Sequence, residues 1–229
     1  MRILVFNQKG GVGKTTTSLN LGAAIAGVLK REVVLIDLDP QMHLTAALGV
    51  RDEDCVWHVG HWLSGQGGQL RELRPGLSLL PGYAGLRPEN DGLTDIVWPS
   101  GICIIDAPPV WNGTVASLMR AADCVLTPIE AEYLSLQGTS RLLQQMSGCG
   151  VSWDKLKLLC SRYDQRLKLH QENLERLQSR FPEQLLPQVI HRSVQLAEAM
   201  GYAQSIFEYA PRNRACQEFV ALARAMIRT

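Results

Sequence analysis

The sequence predicts an α/β protein with a doubly wound, mostly parallel sheet flanked by helices. Short, unbroken apolar runs recur along the chain, and each ends in a polar or glycine-rich turn. Continuous apolarity is typical of strands buried on both faces, as in a parallel sheet. Segments with helical spacing lie between these runs, which is the pattern of an open doubly wound sheet. The 229 residues suffice to bury a core, so we expect one domain spanning residues 1–229.

The individual elements follow from this pattern. Strands are predicted at 3–6, 33–36, 77–80, 102–105, 125–126 and 156–160. Helices are predicted at 15–29, 133–147, 169–181 and 213–227. The stretch 52–100 is rich in glycine and proline, so we expect it to form loops around the single strand at 77–80.

Composition and charge narrow the class of protein. A net charge of +1 argues against a wholly basic nucleic-acid binder, yet residues 155–228 carry 12 Lys and Arg against 7 Asp and Glu. A polyanionic partner should therefore bind the C-terminal third of the chain.

The six cysteines form no C-x-x-C pair, which indicates reduced thiols rather than a zinc or iron–sulfur site. No stretch approaches the roughly 18 apolar residues of a membrane span, so we expect a soluble, cytoplasmic protein that does not bind membranes.

A glycine-rich loop follows the first predicted strand and leads into the first helix. It consists of Gly10, Gly11, Val12 and Gly13, followed by Lys14, Thr15 and Thr16. In this setting backbone N–H groups and the helix N-terminus can face a phosphate. Lys14 would reach the β- and γ-phosphates, Thr15 would bind Mg²⁺, and Thr16 would contact the α-phosphate. The strict loop pattern, however, has glycine where this chain has Gln8, and it does not require the second lysine, Lys9.

Three aspartates follow buried strands. Asp37 and Asp39 end the second strand, and Asp106 ends the run at 102–105. Because parallel strands deliver their carboxyl ends to one edge of the sheet, these carboxylates can meet near one Mg²⁺ and one water.

These motifs resemble a known family. Residues 9–17, 37–41 and 105–109 look like the deviant Walker A, A′ and B motifs of ParA/Soj-type ATPases, relatives of MinD. The likeness continues through 121–123, 132–133, 196–199 and 208–214, and so covers nearly the whole chain. It implies a P-loop NTPase of the deviant Walker A type that binds ATP and Mg²⁺, dimerises on ATP and hydrolyses it slowly.

The resemblance also implies roles for single residues. Lys9 would reach the phosphates of the partner in a face-to-face homodimer and offset their charge there. Asp39 would orient and polarise the attacking water, Asp37 would support the metal and the switch region, and Asp106 would hold the Mg²⁺ shell through water. Adenine would lie against segments that contain Arg162 and His191, although His191 replaces the usual proline. Because the chain has no N-K-x-D guanine motif, we expect ATP rather than GTP.

The residues that this family uses to bind DNA correspond to positions in the basic C-terminal third of the chain, residues 155–228. Arg166 matches a position that the family uses to bind DNA. Lys168 is close to it in sequence, and Arg192 lies near another matching segment. Phosphate contacts of this kind need charge rather than base-reading geometry. One departure is Gln195, where many relatives carry an arginine.

The function implied is that of a cytoplasmic, nucleoid-associated partition or positioning ATPase. Its cargo could be a plasmid, a chromosome origin, or a protein body such as a carboxysome positioned by the McdA branch, and a ParB-like or adaptor partner would stimulate hydrolysis. Because the chain starts at its first strand, we expect no N-terminal helix-turn-helix domain. The alternatives are a MinD-like ATPase, whose membrane anchor would be the apolar last helix, an iron-protein-like ATPase, which should show paired cysteines, and an inactive DNA-binding scaffold.

Overall fold

The computed structural model of the chain describes residues 1–66, 69–87 and 96–227. Within those ranges the strands are β1 (Arg2–Val5), β2 (Val33–Asp37), β3 (Arg71–Arg74), β4 (Leu77–Leu80), β5 (Ile102–Asp106), β6 (Cys124–Glu130), β7 (Leu156–Tyr163) and β8 (Leu185–His191). The α-helices are α1 (Lys14–Gly27), α2 (His43–Ala47), α3 (Val59–Leu63), α4 (Gly113–Ala121), α5 (Tyr133–Gly148), α6 (Lys168–Arg180), α7 (Val194–Gly201), α8 (Ile206–Tyr209) and α9 (Arg214–Ile227).

The described strands form one sheet in the order β3-β4-β2-β5-β1-β6-β7-β8. All neighbouring strands are parallel except β3 and β4, which form an antiparallel pair at one edge. The central strands are aligned so that Asp106 pairs in register with Val5 on one side and with Asp37 on the other. The carboxyl ends of β2, β5 and β1 therefore lie side by side at one edge of the sheet, which is where doubly wound sheets bind their ligands.

Both faces of the sheet are covered by helices. Ile3 and Val5 pack into a cluster with Phe219 of α9, whereas Leu4 and Phe6 pack into the cluster on the opposite face. Side chains alternate along a strand, so an unbroken apolar run supplies both cores at once. This arrangement confirms the predicted fold class.

The last helix, α9, belongs to the core. Phe219, Leu222 and Met226 are buried in the same cluster as residues of α1. The apolar side of α9 is therefore covered within the chain. None of the helices in the described part of the chain combines the length and apolarity that a bilayer span needs.

The predicted helices at 15–29, 133–147, 169–181 and 213–227 all exist, with ends within two residues of those expected. The prediction for 52–100 was wrong in part, because its described residues also contain α3 and β3. Helix α3 is a short turn held by burial of Trp62 and capped by His58, which accepts a hydrogen bond from the Gly60 N–H. Residues 67–68 and 88–95 of that stretch lie outside the described residues.

Strand β8 was not predicted at all. Pro187 and Gln188 interrupt its apolar pattern, and proline is tolerated in edge strands, where ladder hydrogen bonds can be absent. The short helices α2, α4, α7 and α8 also escaped prediction, because their stability comes from packing rather than from a long helical period.

Candidate functional site

The glycine loop after β1 has the backbone shape of a phosphate cradle. Gly11 and Gly13 adopt left-handed φ angles of 75° and 90°, and α1 begins directly after Gly13. A Cβ atom built on Gly10, Gly11 or Gly13 would meet no other heavy atom within 4 Å. Glycine is therefore required at 11 and 13 by backbone conformation, and the space beside the loop is open to a ligand.

Two carbonyl groups of the loop are held by the end of β7. Arg162 Nη1 donates to the Gly11 carbonyl at 2.8 Å, and Ser161 Oγ donates to the Val12 carbonyl at 2.8 Å. In a trans peptide the C=O and the following N–H point in opposite directions. The N–H groups of Val12 and Gly13 are thus directed away from β7, which is the orientation that an anion site in a loop requires.

Lys14 is the first residue of α1, and only 8% of it is exposed. Its Nζ lies 3.3 Å from the Lys9 carbonyl. Burial lowers the pKa of the Lys14 amine, while the charges of Asp106 and Asp39 act in the opposite direction. The lysine is a partly desolvated cation, so a phosphate placed beside it would interact with it more strongly than in bulk water.

Asp106 joins the phosphate loop to β5. Thr15 Oγ1 donates to Asp106 Oδ2 at 2.7 Å, and Ser18 Oγ donates to Asp106 Oδ1 at 2.9 Å. Burial, together with the charge of Asp37, raises the pKa of Asp106 to about 7. A hydroxyl beside a carboxylate is an oxygen donor set of the kind that Mg²⁺ prefers. Ser18 was missed, although its spacing of three from Thr15 on a helix predicts the same face.

Asp37 lies at the end of β2 and is fully buried. Its Oδ2 accepts hydrogen bonds from the Thr45 N–H (2.8 Å) and the Thr45 hydroxyl (2.7 Å), and its Oδ1 accepts one from the Asp39 N–H (3.1 Å). Burial raises the pKa of Asp37 to about 6 despite these bonds. Both oxygens accept hydrogen bonds from the loop that leads to α2, and the support of the metal and of the switch region by Asp37 stays a prediction. Thr45 was not singled out from the sequence.

Asp39 stands at the edge of the cleft above the loop. Its Oδ1 accepts a hydrogen bond from the Gln41 N–H at 2.9 Å, and its Oδ2 lies 3.5 Å from His43 Nδ1. The residue is 8% exposed and lines the same cleft as Lys14. The role that the family resemblance implies for Asp39, orienting the attacking water, stays a prediction.

Two clefts meet at the loop and share Gly11, Gly13, Thr16 and Met200. The first has a volume of about 580 Å³, and the phosphate-loop residues line it together with Asp39 and Pro109. The second has a volume of about 480 Å³, and Arg162, His191 and Phe219 line it. Two joined clefts of this size have room for a nucleotide, and the expected positions are the phosphates at Lys14 and the base near Arg162 and His191.

The position of His191 is fixed by Glu218 of α9. The His191 N–H donates to Glu218 Oε2 at 3.0 Å, and its ring Nδ1 lies 2.7 Å from Glu218 Oε1. Arg214 Nε also lies 2.7 Å from Glu218 Oε1. Glu218 was not found from the sequence, because it is distant along the chain and carries no motif.

Lys9 forms ion pairs with two glutamates of its own chain. Its Nζ lies 2.6 Å from Glu130 Oε2 and 2.7 Å from Glu132 Oε2, at the end of β6. Its side chain is 44% exposed, so the amine sits at the surface beside the loop. The two glutamates were not assigned this contact from the sequence.

The predicted DNA-binding residues Arg166, Lys168 and Arg192 are all exposed. Arg166 and Arg192 line a groove of about 550 Å³ that adjoins His191. Arg166 Nη2 lies 2.7 Å from Asp164 Oδ2, and the hydrogen bonds from Arg166 hold the pKa of that carboxyl well below its usual range. Lys168 Nζ is 3.6 Å from Glu172 Oε1. Asn213 Nδ2 donates to Gln195 Oε1, so the Gln195 side chain is held by a contact within the chain.

Comparisons with known proteins agree with this geometry. The profile of the CobQ/CobB/MinD/ParA nucleotide binding domain matches residues 3–206. The chromosome-partitioning ATPase Soj of Thermus thermophilus is 36% identical, over 99% of this chain and 95% of the relative. A plasmid partition protein of Borrelia burgdorferi B31 bound to AMPPNP superposes with a TM-score of 0.84 at 17% identity, covering 99% of this chain and 98% of that one.

A further solved structure is cobyrinic acid a,c-diamide synthase of Mycobacterium smegmatis with a bound ATP analogue and magnesium. It superposes with a TM-score of 0.79 at 26% identity and covers 99% of this chain and 94% of that one. The family profile and the structural superpositions both extend over most of the chain and include the phosphate loop. The chain belongs to the CobQ/CobB/MinD/ParA nucleotide-binding family and is a ParA/Soj-type NTPase within it.

Proposed function

We propose that this chain is a Mg²⁺-dependent ATPase that dimerises on ATP, binds DNA without sequence preference, and moves or spaces a cargo. The observation that carries the proposal is the joint placement of a glycine cradle, a buried lysine and the Thr15–Asp106 pair at one edge of the sheet. Partition-type relatives support the cellular role.

Different residues of the site have different roles in the proposed hydrolysis. The N–H groups of the loop and Lys14 hold the phosphates of the substrate ATP. Thr15 and Asp106 are the residues that would hold Mg²⁺, which when bound offsets the charge on the transferring phosphoryl group. Asp39 orients a water at the γ-phosphate, and Asp37 fixes the loop that carries Asp39 through its bonds to Thr45 and to the Asp39 N–H.

Adenine selection falls to the second cleft. Arg162 and His191 line it, and the contacts of His191 with Glu218 fix the ring against β8 and α9. We propose that these residues contact the base and ribose of ATP.

Dimerisation and DNA binding use neighbouring surfaces. Lys9 is surface-exposed beside the loop, so its amine can approach the phosphates of a second subunit that docks face to face. Arg166, Lys168 and Arg192 supply exposed positive charge for DNA phosphates. The partner that stimulates hydrolysis is a ParB-like or cargo-adaptor protein, and the cargo is a plasmid, a chromosome origin or a protein body such as a carboxysome. In a cell such a protein would be cytoplasmic and associated with the nucleoid.

ATP turnover in the presence and absence of nonspecific duplex DNA tests this function, together with sedimentation in ATP and in ADP. We expect slow Mg²⁺-dependent turnover, a dimer in ATP only, and DNA binding that weakens steeply with salt. Absence of ATP turnover under all these conditions would refute the enzymatic proposal. A dimer that forms equally well in ADP would refute the coupling to ATP.

A further inference from the structure

A cluster of four charged side chains lies at the ends of β6 and β7. Glu130 Oε2 is 2.6 Å from Lys9 Nζ, while Glu130 Oε1 is 3.3 Å from Arg162 Nε. Glu132 Oε2 is 2.7 Å from the same lysine nitrogen. Strands β6 and β7 are parallel neighbours, and Glu130 pairs in register with Ser161, so the cluster is built on adjacent strand ends.

Glu130 is the fixed member of this cluster. Only 14% of its side chain is exposed, against 44% for Lys9 and 51% for Arg162. Its carbonyl accepts a hydrogen bond from Ser135 Oγ at 2.6 Å, which ties the strand end to α5. Glu130 therefore provides the fixed position at which the two more exposed cations, Lys9 and Arg162, are held.

Both cations that Glu130 holds are connected to the phosphate loop. Lys9 precedes the loop, and the Lys9 N–H donates to Asn7 Oδ1 at 2.9 Å. Arg162 donates to the Gly11 carbonyl at 2.8 Å and has a left-handed φ of 53°, which is uncommon for a residue with a side chain. One carboxylate thus positions the backbone of the loop through Arg162 and the amine beside it through Lys9.

We propose that Glu130, with Glu132, is a positioning residue that holds Lys9 within its own subunit until the triphosphate of a second subunit competes for the ammonium group. The inference rests on the proposed ATP-dependent dimer. With Lys9 in place the four side chains carry no net charge, and departure of Lys9 leaves one uncompensated negative charge beside Arg162. Release therefore has an electrostatic cost that a triphosphate, with its larger charge, offsets better than a diphosphate.

The arrangement makes the dimer weaker than the contacts between two subunits alone would dictate. Each subunit must give up the contacts of Lys9 with two carboxylates, so the cost enters twice in a symmetric dimer. Partly exposed ion pairs of this kind are individually weak. Removing both carboxylates should therefore strengthen the dimer by a measurable but limited factor.

The test compares the parent with Glu130→Gln, Glu132→Gln and the double variant, using a nonhydrolysable ATP analogue and sedimentation equilibrium. We expect the double variant to lower the dimer dissociation constant by about 2- to 30-fold, with each single variant between it and the parent. Glu53→Gln is the matched control, because Glu53 forms an exposed ion pair with Arg51 in a different part of the chain. Loss of stability alone would weaken the dimer, so a gain in affinity is specific to the proposed role.

A second readout uses the nucleotide-free monomer. Partial burial lowers the pKa of the Lys9 amine, but the hydrogen bonds and charges of Glu130 and Glu132 outweigh this and raise it. NMR titration of the lysine amine should give a lower pKa in the double variant than in the parent. A pKa that does not change would show that the glutamates do not hold Lys9 in solution and would overturn the inference.

Lys9→Ala separates this inference from the proposed function. If the parent forms no dimer in the ATP analogue, the proposed dimerisation fails and the inference fails with it. If the parent dimerises, Lys9→Ala does not, and the glutamate variants keep the dissociation constant of the parent, the proposed function stands and the inference is overturned.

Discussion

Thr15 Oγ1 donates a 2.7 Å hydrogen bond to Asp106 Oδ2, which joins the first turn of α1 to the end of β5 across 91 positions of sequence. The pair brings a hydroxyl and a carboxylate together beside the phosphate loop. Thr15→Val removes the hydroxyl and keeps the shape of the side chain. We expect it to raise the Mg²⁺ concentration for half-maximal ATP turnover by about tenfold or more, because one metal ligand is lost. Magnesium titrations of steady-state turnover measure this.

Glu53→Gln serves as the control for Thr15→Val, since it changes an exposed side chain away from the site. An unchanged magnesium dependence in Thr15→Val would exclude the threonine from the metal site.

Lys14 and Asp39 should separate ATP binding from turnover. Lys14→Gln removes the buried cation, and we expect it to weaken ATP binding by at least about tenfold. Asp39→Ala should leave ATP affinity close to that of the parent, lower turnover by about 100-fold or more, and accumulate the ATP-bound dimer. Calorimetry, single-turnover hydrolysis and sedimentation measure these three quantities. If Asp39→Ala turned over ATP at the rate of the parent, the aspartate would not orient the water.

Asp106 and Asp37 should each make a contribution to the stability of the metal-free, nucleotide-free protein that falls as pH rises from about 4 to about 7. The folded-state pKa values of Asp106 and Asp37 are raised to about 7 and about 6 from 3.8. The native state thus binds protons that the unfolded chain has released, and this contribution is present at low pH and lost as pH rises through the folded pKa values. We expect Asp106→Asn to be less sensitive to pH than the parent between pH 5 and pH 8. Urea unfolding in EDTA measures the difference.

In that experiment Asp52→Asn is the control, because Asp52 is exposed. Equal pH slopes for the parent and Asp106→Asn would show that Asp106 is ionised in the folded protein over the whole range.

Gly10 and Gly11 make a matched pair of loop variants. Gly11 has a φ of 75°, Gly10 has no left-handed φ, and a Cβ at either position meets open space. Gly11→Ala should therefore destabilise the nucleotide-free protein by about 1 kcal/mol or more, whereas Gly10→Ala should change stability little. Chemical denaturation of both variants measures this. Equal stabilities would show that the loop relaxes without cost.

DNA binding should depend on Arg166 and Arg192 through charge alone. Each alanine variant is expected to weaken binding to unrelated duplex sequences equally and to reduce the slope of log affinity against log salt by about 1. Arg51→Ala is the control, since Arg51 is an exposed arginine outside the basic third. Fluorescence anisotropy at several salt concentrations measures the slopes. A variant that loses affinity without a change of slope acts through structure rather than phosphate contact.

The sequence predicts the central part of the molecule better than its margins. Buried strands such as β1 and β5 are continuous apolar runs, and the loop and aspartates follow them directly, so the phosphate end of the site could be placed from the pattern. The edge strand β8 is half exposed and contains Pro187, and β3 pairs on one side only, so neither has a clear apolar period.

The supporting contacts of the site were less predictable for a different reason. Ser18, Thr45, Glu130 and Glu218 act through tertiary contacts with residues 27 to 121 positions away or with a neighbouring loop. Only Ser18 follows a local rule, the helical spacing from Thr15. The others depend on strand order and helix packing, which a single sequence does not specify.

Strand order also has a consequence for how this chain can vary. The loop, Asp106 and Glu130 come from β1, β5 and β6, three adjacent strands at the middle of the sheet. The antiparallel β3 is the third strand from β5, at the edge of the sheet. Changes in the length of the hairpin between β3 and β4 can therefore occur without moving the loop, Asp106 or Glu130. New contact surface can be added at that edge of the sheet while the strand ends at its centre keep their positions.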